Sequence, residues 1–193
     1  MKKLIILAHQ HEESFNHAIL DQVESTLKEK GHEVVVRDLY KLNFQPVLKP
    51  EDTDAMKTGN IPEDIKIEQD FITESDVIIF IYPIWWSNMP AILKGYLDRV
   101  FSFGFAYSMG EQGAVPLLKG KKGMIINTYG ATEEHYESIG MNASFKTTMD
   151  VGVFGFTGIE PVEHLLFGEV TAVDDPTRKK ILGKIKESVK NHF

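Results

Sequence analysis

Short unbroken apolar runs alternate with amphipathic helical patterns along the whole of this sequence. The first run, residues 4–8, is typical of a strand that is buried on both faces of a sheet. The apolar residues between positions 19 and 27 recur at helical spacing, and Gly31 supplies a stop signal after them. Because parallel strands need long crossover connections, this alternation predicts an α/β protein with a parallel sheet.

Further strands and helices follow in the same order. Strands are expected at 33–38, 76–82 and 123–127 and within 160–167, and helices at 63–73, from Pro90 onwards and after the capping pair Asp175-Pro176. The proline-containing stretch 39–62 is expected to be irregular. We therefore predict one domain, residues 1–193, with a doubly wound five-stranded parallel sheet and helices on both faces.

Charge and composition exclude several functional classes. A net charge of -7 disfavours a general nucleic-acid or anionic-membrane surface. The chain has no cysteine, which excludes disulfides, thiolate catalysis and cysteine metal sites. The 7 histidines show no metal-ligand spacing, so we expect no metal site.

Neither of the most apolar segments has the length of a targeting or membrane segment. Residues 4–8 are too few for the apolar region of a signal peptide. Residues 77–86 have about half the length of a membrane helix. We expect a cytoplasmic protein without membrane insertion.

In doubly wound sheets the ligand binds beyond the carboxyl ends of the strands, near the point where the strand order reverses. The loops that follow Ala8, Tyr82 and Asn127 are therefore the candidate ligand-binding loops. They differ in the chemistry that they offer, and none contains a GxGxxG or Walker pattern.

The first loop places Ser14 and Asn16 at the start of a helix. Helix-start N–H groups and the Ser14 hydroxyl are suited to a phosphate, but either residue could equally serve only as a helix cap. Glu12 and Glu13 oppose anion binding and would have to point outward.

The second loop carries both tryptophans, Trp85 and Trp86, next to Pro83 and Ile84. Large aromatic rings at this edge of a sheet can stack on a flat ring system, although they could also belong to the core or to a subunit interface. The third loop offers the hydroxyl of Thr128, and Gly130 allows close backbone approach to a ligand.

Taken together, these segments resemble the NAD(P)H:quinone oxidoreductase family, the flavodoxin-like flavoproteins of the DT-diaphorase type. The matching pieces run in the family's order along nearly the whole chain: Ala8-His9, Ser14-Phe15-Asn16, Asp38-Leu39-Tyr40, Asn43-Phe44, Pro46, the stretch from Pro90 to Tyr96, Arg99-Val100-Phe101 and Phe105-Ala106-Tyr107. Within the most specific piece, Lys94 and Arg99 are expected on or near an exposed helix face.

The resemblance implies a role for each candidate site residue. The flavin phosphate and ribityl end would contact His9, Ser14, Phe15 and Asn16; the isoalloxazine edge would contact Pro83, Ile84, Trp85 and Trp86; Thr128, Tyr129 and Gly130 would donate to its ring atoms. Tyr136 matches a family tyrosine near the flavin and is the candidate proton donor. Tyr107 matches a residue that closes the substrate pocket from the neighbouring subunit.

Two positions depart from the family pattern. Tyr129-Gly130 stands where the family has paired glycines, so the backbone approach to the flavin can differ there. Asn142 stands where the animal enzymes have the histidine that partners the active-site tyrosine, so this position supplies no Tyr-His proton relay.

The implied function is hydride transfer from NAD(P)H through a bound flavin to a quinone-like acceptor, with ping-pong kinetics. FMN is expected rather than FAD because the chain ends soon after its last helix. The four aromatics within 101–107 predict a homodimer with its active site near the interface. Two alternatives stay open: a flavodoxin-like electron carrier, and an ancillary redox-regulatory subunit of a potassium efflux system.

Overall fold

The computed structural model describes every residue from Met1 to Phe193. A five-stranded sheet has the order β2-β1-β3-β6-β7, and every neighbouring pair in it is parallel. Its strands are β1 (Lys2–Leu7), β2 (Glu33–Asp38), β3 (Val77–Pro83), β6 (Lys122–Thr128) and β7 (Glu160–Phe167). The predicted parallel sheet is confirmed, and the strand order reverses between β1 and β3.

Helices cover both faces of this sheet, as predicted. They are α1 (Phe15–Glu29), α2 (Pro50–Thr58), α3 (Glu63–Glu74), α4 (Ala91–Val100), α5 (Glu133–Ser138), α6 (Met141–Lys146) and α7 (Asp175–His192), with a π-helical segment at Thr147–Gly155. None of them combines the length with the apolar character that a membrane-crossing helix needs.

Alternate residues of the central strand enter two separate cores. In β3, Ile79 and Ile81 pack with apolar residues of α1 and α7 on one face. On the other face, Phe80 and Tyr82 pack with residues of α3, α4 and the π-helical segment. Since both faces are covered, every residue of β3 is buried, which explains its unbroken apolar sequence.

The stretch 39–62 is not irregular throughout, because α2 lies within it. The same segment corrects the expectation for Arg99, which is buried rather than exposed. Its guanidinium donates to Asp52 of α2, to Asp64 and to the carbonyl of Gln45, and so fastens the long connection to α4. Lys94 does lie on the exposed face.

Other residues of the α4 motif also have a structural role. A Cβ built on Gly95 would lie 2.0 Å from the carbonyl oxygen of Pro46, so the connection packs directly on the helix backbone. The buried hydroxyl of Tyr96 donates to Glu68, which also pairs with Arg37 of β2. The most specific part of the family resemblance therefore fixes the fold rather than lining a site.

Two local features differ from the sequence expectation. A hairpin of β4 (Tyr107–Gly110) and β5 (Gly113–Pro116) follows α4, and it was not predicted. The last helix is capped by Asp174, which accepts from the Thr177 N–H, rather than by Asp175. Pro176 lies in the first turn of this helix. Backbone N–H groups there have no partner within the helix, so the missing N–H of proline costs no hydrogen bond.

Candidate active site

A large cavity lies at the carboxyl ends of β1, β3 and β6, beside the point of strand-order reversal. Its volume is about 840 Å³, within the range of small-molecule and cofactor sites. The lining residues come from the three candidate loops and from the start of the last helix: His9, His11, Glu12, Glu13, Ser14, Phe15, Asn16, Ala18, Pro83, Ile84, Trp85, Thr128, Tyr129, Gly130, Val170, Thr171 and Arg178.

The start of α1 forms one end of the cavity. Ser14 is the N-cap, and its side chain accepts from the His17 N–H, so the capping role of this serine is confirmed. The N–H groups of Phe15 and Asn16 have no acceptor in the protein, as is usual in a first helical turn. Together with the helix dipole, these free donors favour an anionic group at this end.

The side chain of Asn16 connects this helix start to the third loop. Its Nδ2 donates to Thr128 Oγ1 at 2.8 Å, and both residues are buried. Its Oδ1 is also buried but has no partner in the protein. A half-turn of the amide would let Thr128 donate to Oδ1 and would free Nδ2 for an acceptor at the cavity.

His9 lies between the helix start and the aromatic loop. Its Nδ1 accepts from the His11 N–H at 3.1 Å, so the neutral ring carries its proton on Nε2. Burial lowers the pKa of His9, which keeps the ring uncharged at neutral pH. Its ring centroid is 5.8 Å from that of Trp85, and the two rings form one wall.

The structure separates the two tryptophans. Trp85 lines the cavity, whereas Trp86 is fully exposed and does not. Trp86 and Ser87 both have left-handed backbone conformations, with φ of 50° and 58°, at the tip of a turn that is closed by mutual hydrogen bonds between Trp85 and Asn88. Left-handed φ is strained for a residue as bulky as tryptophan, and here it directs Trp86 away from the cavity of its own chain.

The third loop brings Tyr129 and Gly130 to the cavity. The Gly130 N–H has no acceptor in the protein, and no heavy atom lies within 4 Å of a Cβ built on this residue. Its φ is not positive, so neither the backbone conformation nor the packing of the protein requires a glycine there. A ligand that approaches the backbone closely would require one.

Tyr136 does not line the cavity but stacks on Tyr129, with a centroid distance of 4.8 Å and an interplanar angle of 19°. Asn142 contacts Tyr129 rather than Tyr136, since the Tyr129 hydroxyl donates to Asn142 Oδ1 at 3.4 Å. The pKa of Tyr129 is raised, mainly because the phenol is buried, and the phenol therefore stays protonated.

Tyr107 lies in β4, away from the cavity of its own chain. Its ring contacts those of Phe103 and Phe156, at centroid distances of 5.8 Å and 4.9 Å. Of the predicted site residues, the single chain thus brings all to the cavity except three: Trp86, Tyr107 and Tyr136.

Sequence reasoning missed the part of the cavity formed by Val170, Thr171 and Arg178. Arg178 donates to the Val170 carbonyl and to Asp175, and it supplies a positive charge at the cavity. Glu12 and Glu13 are exposed, as predicted, although they stand on the rim of the cavity.

A family model described as the flavodoxin-like fold matches residues 1–192. The chain belongs to this family. Its relatives include an uncharacterized NAD(P)H oxidoreductase of Haemophilus influenzae, 43% identical, with 94% of this chain and 91% of the relative covered. The NAD(P)H dehydrogenase [quinone] 1 of Cavia porcellus is 30% identical, with 98% and 76% covered.

Solved structures agree with these sequence relatives. An NAD(P)H:quinone oxidoreductase from Methanothermobacter marburgensis superposes with a TM-score of 0.84 at 31% identity, covering 99% of this chain and 95% of that one. The resemblance to NAD(P)H:quinone oxidoreductases is therefore confirmed, and the chain belongs with enzymes of the NAD(P)H dehydrogenase type.

Proposed function

We propose that this protein is a flavin-dependent oxidoreductase that passes a hydride from NAD(P)H to a quinone-like acceptor. The observation that carries the proposal is the cavity at the strand-order reversal, with free N–H donors of α1 at one end and the Trp85 ring on its wall. The names of the relatives support the same chemistry.

The residues present fit a flavin mononucleotide. The N–H groups of Phe15 and Asn16 would hold its phosphate, together with the Ser14 hydroxyl. The buried Oδ1 of Asn16 has no hydrogen-bond partner in the protein, and a ribityl hydroxyl could donate to it. After a half-turn of the amide, Nδ2 would instead donate to a phosphate oxygen. Trp85 would cover one part of the isoalloxazine, and the Gly130 N–H would donate to a ring atom.

A bound flavin would supply the capacity to accept a hydride and to pass it on. The protein would contribute orientation and electrostatics around that chemistry. Trp85 and His9 would exclude water from one wall of the cavity. The Gly130 N–H would face the negative charge that develops on the flavin during hydride transfer. Because NAD(P)H and the acceptor would use one pocket in turn, we propose ping-pong kinetics.

The form of the flavin and the preferred nicotinamide donor can each be determined by a direct measurement. We propose FMN, with FAD as the alternative that mass analysis of the released flavin distinguishes. Arg178 and Thr171 also line the cavity. Comparison of kcat/KM for NADH and NADPH identifies the preferred donor.

We also propose a homodimer in which Tyr107 faces the partner's cavity. The hairpin and its surroundings expose a set of large apolar side chains: Phe103, Met109, Val115, Leu117 and Phe156. Soluble monomers rarely expose a contiguous apolar surface of this kind, whereas symmetric dimers bury one. A partner surface here would also explain why Trp86 and Tyr107 do not reach the cavity of their own chain.

Steady-state turnover with NAD(P)H and benzoquinone tests the proposed function. Sustained quinone reduction supports the enzyme. A protein that binds flavin but accepts electrons only from a protein partner would instead be an electron carrier. Turnover that requires co-purification with a potassium transporter would favour the ancillary-subunit alternative.

A further inference from the structure

A buried chain of hydrogen bonds lies directly beneath two of the cavity loops. His164 of β7 contacts Asp150 through Nδ1 at 2.9 Å and Asn127 through Nε2 at 2.8 Å. Asn127 in turn donates through Nδ2 to the carbonyl of Tyr82 at 3.1 Å. The His164 and Asn127 side chains are almost completely buried, whereas 21% of the Asp150 side chain is exposed.

The backbone carbonyl at one end fixes the direction of the two hydrogen bonds that Asn127 makes. A backbone carbonyl only accepts, so Asn127 must present Nδ2 to Tyr82 and Oδ1 to His164. The Nε2 atom of His164 therefore donates. The Asp150 carboxylate also only accepts, so Nδ1 is protonated as well, or Asp150 itself holds the proton between them. In either form the Asp150–His164 pair retains one bridging proton.

This network ends where the cavity begins. Tyr82 immediately precedes the lining residue Pro83, and Asn127 immediately precedes the lining residue Thr128. The two loops are tied to each other because the Ile84 N–H donates to the Thr128 carbonyl at 2.7 Å. The third loop is tied to α1 through Thr128, which accepts from Asn16.

We propose that His164 is a positioning residue that holds the floor of the flavin cavity, with Asp150 retaining the proton that this arrangement needs. The inference rests on the proposed function, because it concerns the same cavity. Loss of the bridging proton would leave a ring lone pair facing a carboxylate, and the hold on Asn127 would weaken. Flavin affinity would then fall without any change in the residues that touch the flavin.

Three variants separate the expected outcomes. In His164→Phe, Asn127 and Asp150 lose their partner, and the FMN dissociation constant should rise about tenfold. In Asp150→Asn, the new amide can donate to Nδ1 while Nε2 still donates to Asn127, so affinity at neutral pH should stay near wild type. The control His32→Phe, which removes a ring bonded to the Phe193 carbonyl, should behave as wild type.

The experiment titrates the apoprotein of each variant with FMN at about pH 7, with circular dichroism as a check of folding. Nitrogen-15 NMR of the apoprotein should show protons on both ring nitrogens of His164, or on Nε2 with Asp150 protonated, independently of flavin. Wild-type affinity in His164→Phe, or a loss of affinity in Asp150→Asn equal to that in His164→Phe, would overturn the inference. Absence of FMN binding by wild type would instead contradict the proposed function.

Discussion

Arg99 and Asp52 form a two-bond ion pair that joins α4 to α2. Arg99 Nε donates to Asp52 Oδ2 at 2.8 Å, and Nη2 donates to Oδ1 at 3.0 Å. Both side chains are buried, so this pair holds the longest connection of the fold against the sheet layer. The pKa of Asp52 is lowered mainly by its hydrogen bonds from Arg99.

Arg99→Met should lower the free energy of unfolding by about 3–5 kcal/mol, because it leaves the Asp52 charge buried without its partner. Urea unfolding measures the change. The double variant Arg99→Met with Asp52→Leu should recover much of the loss, since the unpaired charge is then gone. Equal instability of the single and double variants would contradict this account.

Acid should weaken the same pair in wild type. A carboxyl whose pKa is lower in the folded than in the unfolded state stabilises the fold above its unfolded pKa, near about 4. That contribution to stability is lost as the pH falls through the pKa of the carboxyl in the folded state. Wild-type stability should therefore drop in acid, and Asp52→Asn should show a smaller drop between about pH 5 and about pH 2. Urea midpoints across this range measure both.

Gly95→Ala should destabilise the protein by about 1–3 kcal/mol, because the new methyl group would overlap Pro46. Gly183 of α7 is a matched control, since nothing lies within 4 Å of a Cβ built there. Gly183→Ala should leave stability unchanged or raise it by up to about 1 kcal/mol. Thermal unfolding of the two variants compares these effects, and similar changes at both positions would contradict the proposed packing.

Trp85→Ala should raise the FMN dissociation constant about tenfold or more, because Trp85 lines the cavity and packs beside His9. Trp86→Ala provides the control from the same turn, and it should leave FMN affinity of the monomer nearly unchanged. Fluorescence titration of the apoproteins measures both constants. A larger loss in Trp86→Ala would show that the exposed ring, from its own or a partner chain, covers the flavin.

Tyr136→Phe should leave FMN affinity intact and slow quinone reduction about tenfold if its hydroxyl donates a proton. Anaerobic stopped-flow spectroscopy separates the two half-reactions. Tyr129→Phe is the informative comparison, since Tyr129 lines the cavity and Tyr136 stacks behind it. Unchanged reoxidation in Tyr136→Phe, with slowed reoxidation in Tyr129→Phe, would assign the donor role to Tyr129.

The parallel sheet and its main helices could be predicted because β1 and β3 carry unbroken apolar runs and strand and helix patterns alternate along the chain. The second helix could not, since its only buried residues are Asp52 and Ala55 and no apolar stripe marks it. Arg99 was misplaced for a related reason. Its burial depends on carboxylates supplied by a distant connection, and local sequence does not reveal such a partner.

The cavity loops could be predicted from the strand-order rule, which needs only the sequence of elements. Arg178 was missed because the α7 start reaches the cavity only through the packing of the last strand and helix. The orientation of Trp86 was also not predictable. It depends on a turn whose two left-handed positions, Trp86 and Ser87, are not the glycine or asparagine by which such turns are usually recognised.

The most direct test of the central claim is an anaerobic absorption spectrum of the FMN-loaded protein during successive additions of NAD(P)H and benzoquinone. The account predicts that bound flavin absorbance is bleached by NAD(P)H and returns with one equivalent of quinone. A folded protein that retains no flavin at micromolar concentration, or whose bound flavin keeps its absorbance in the presence of NAD(P)H, would contradict it.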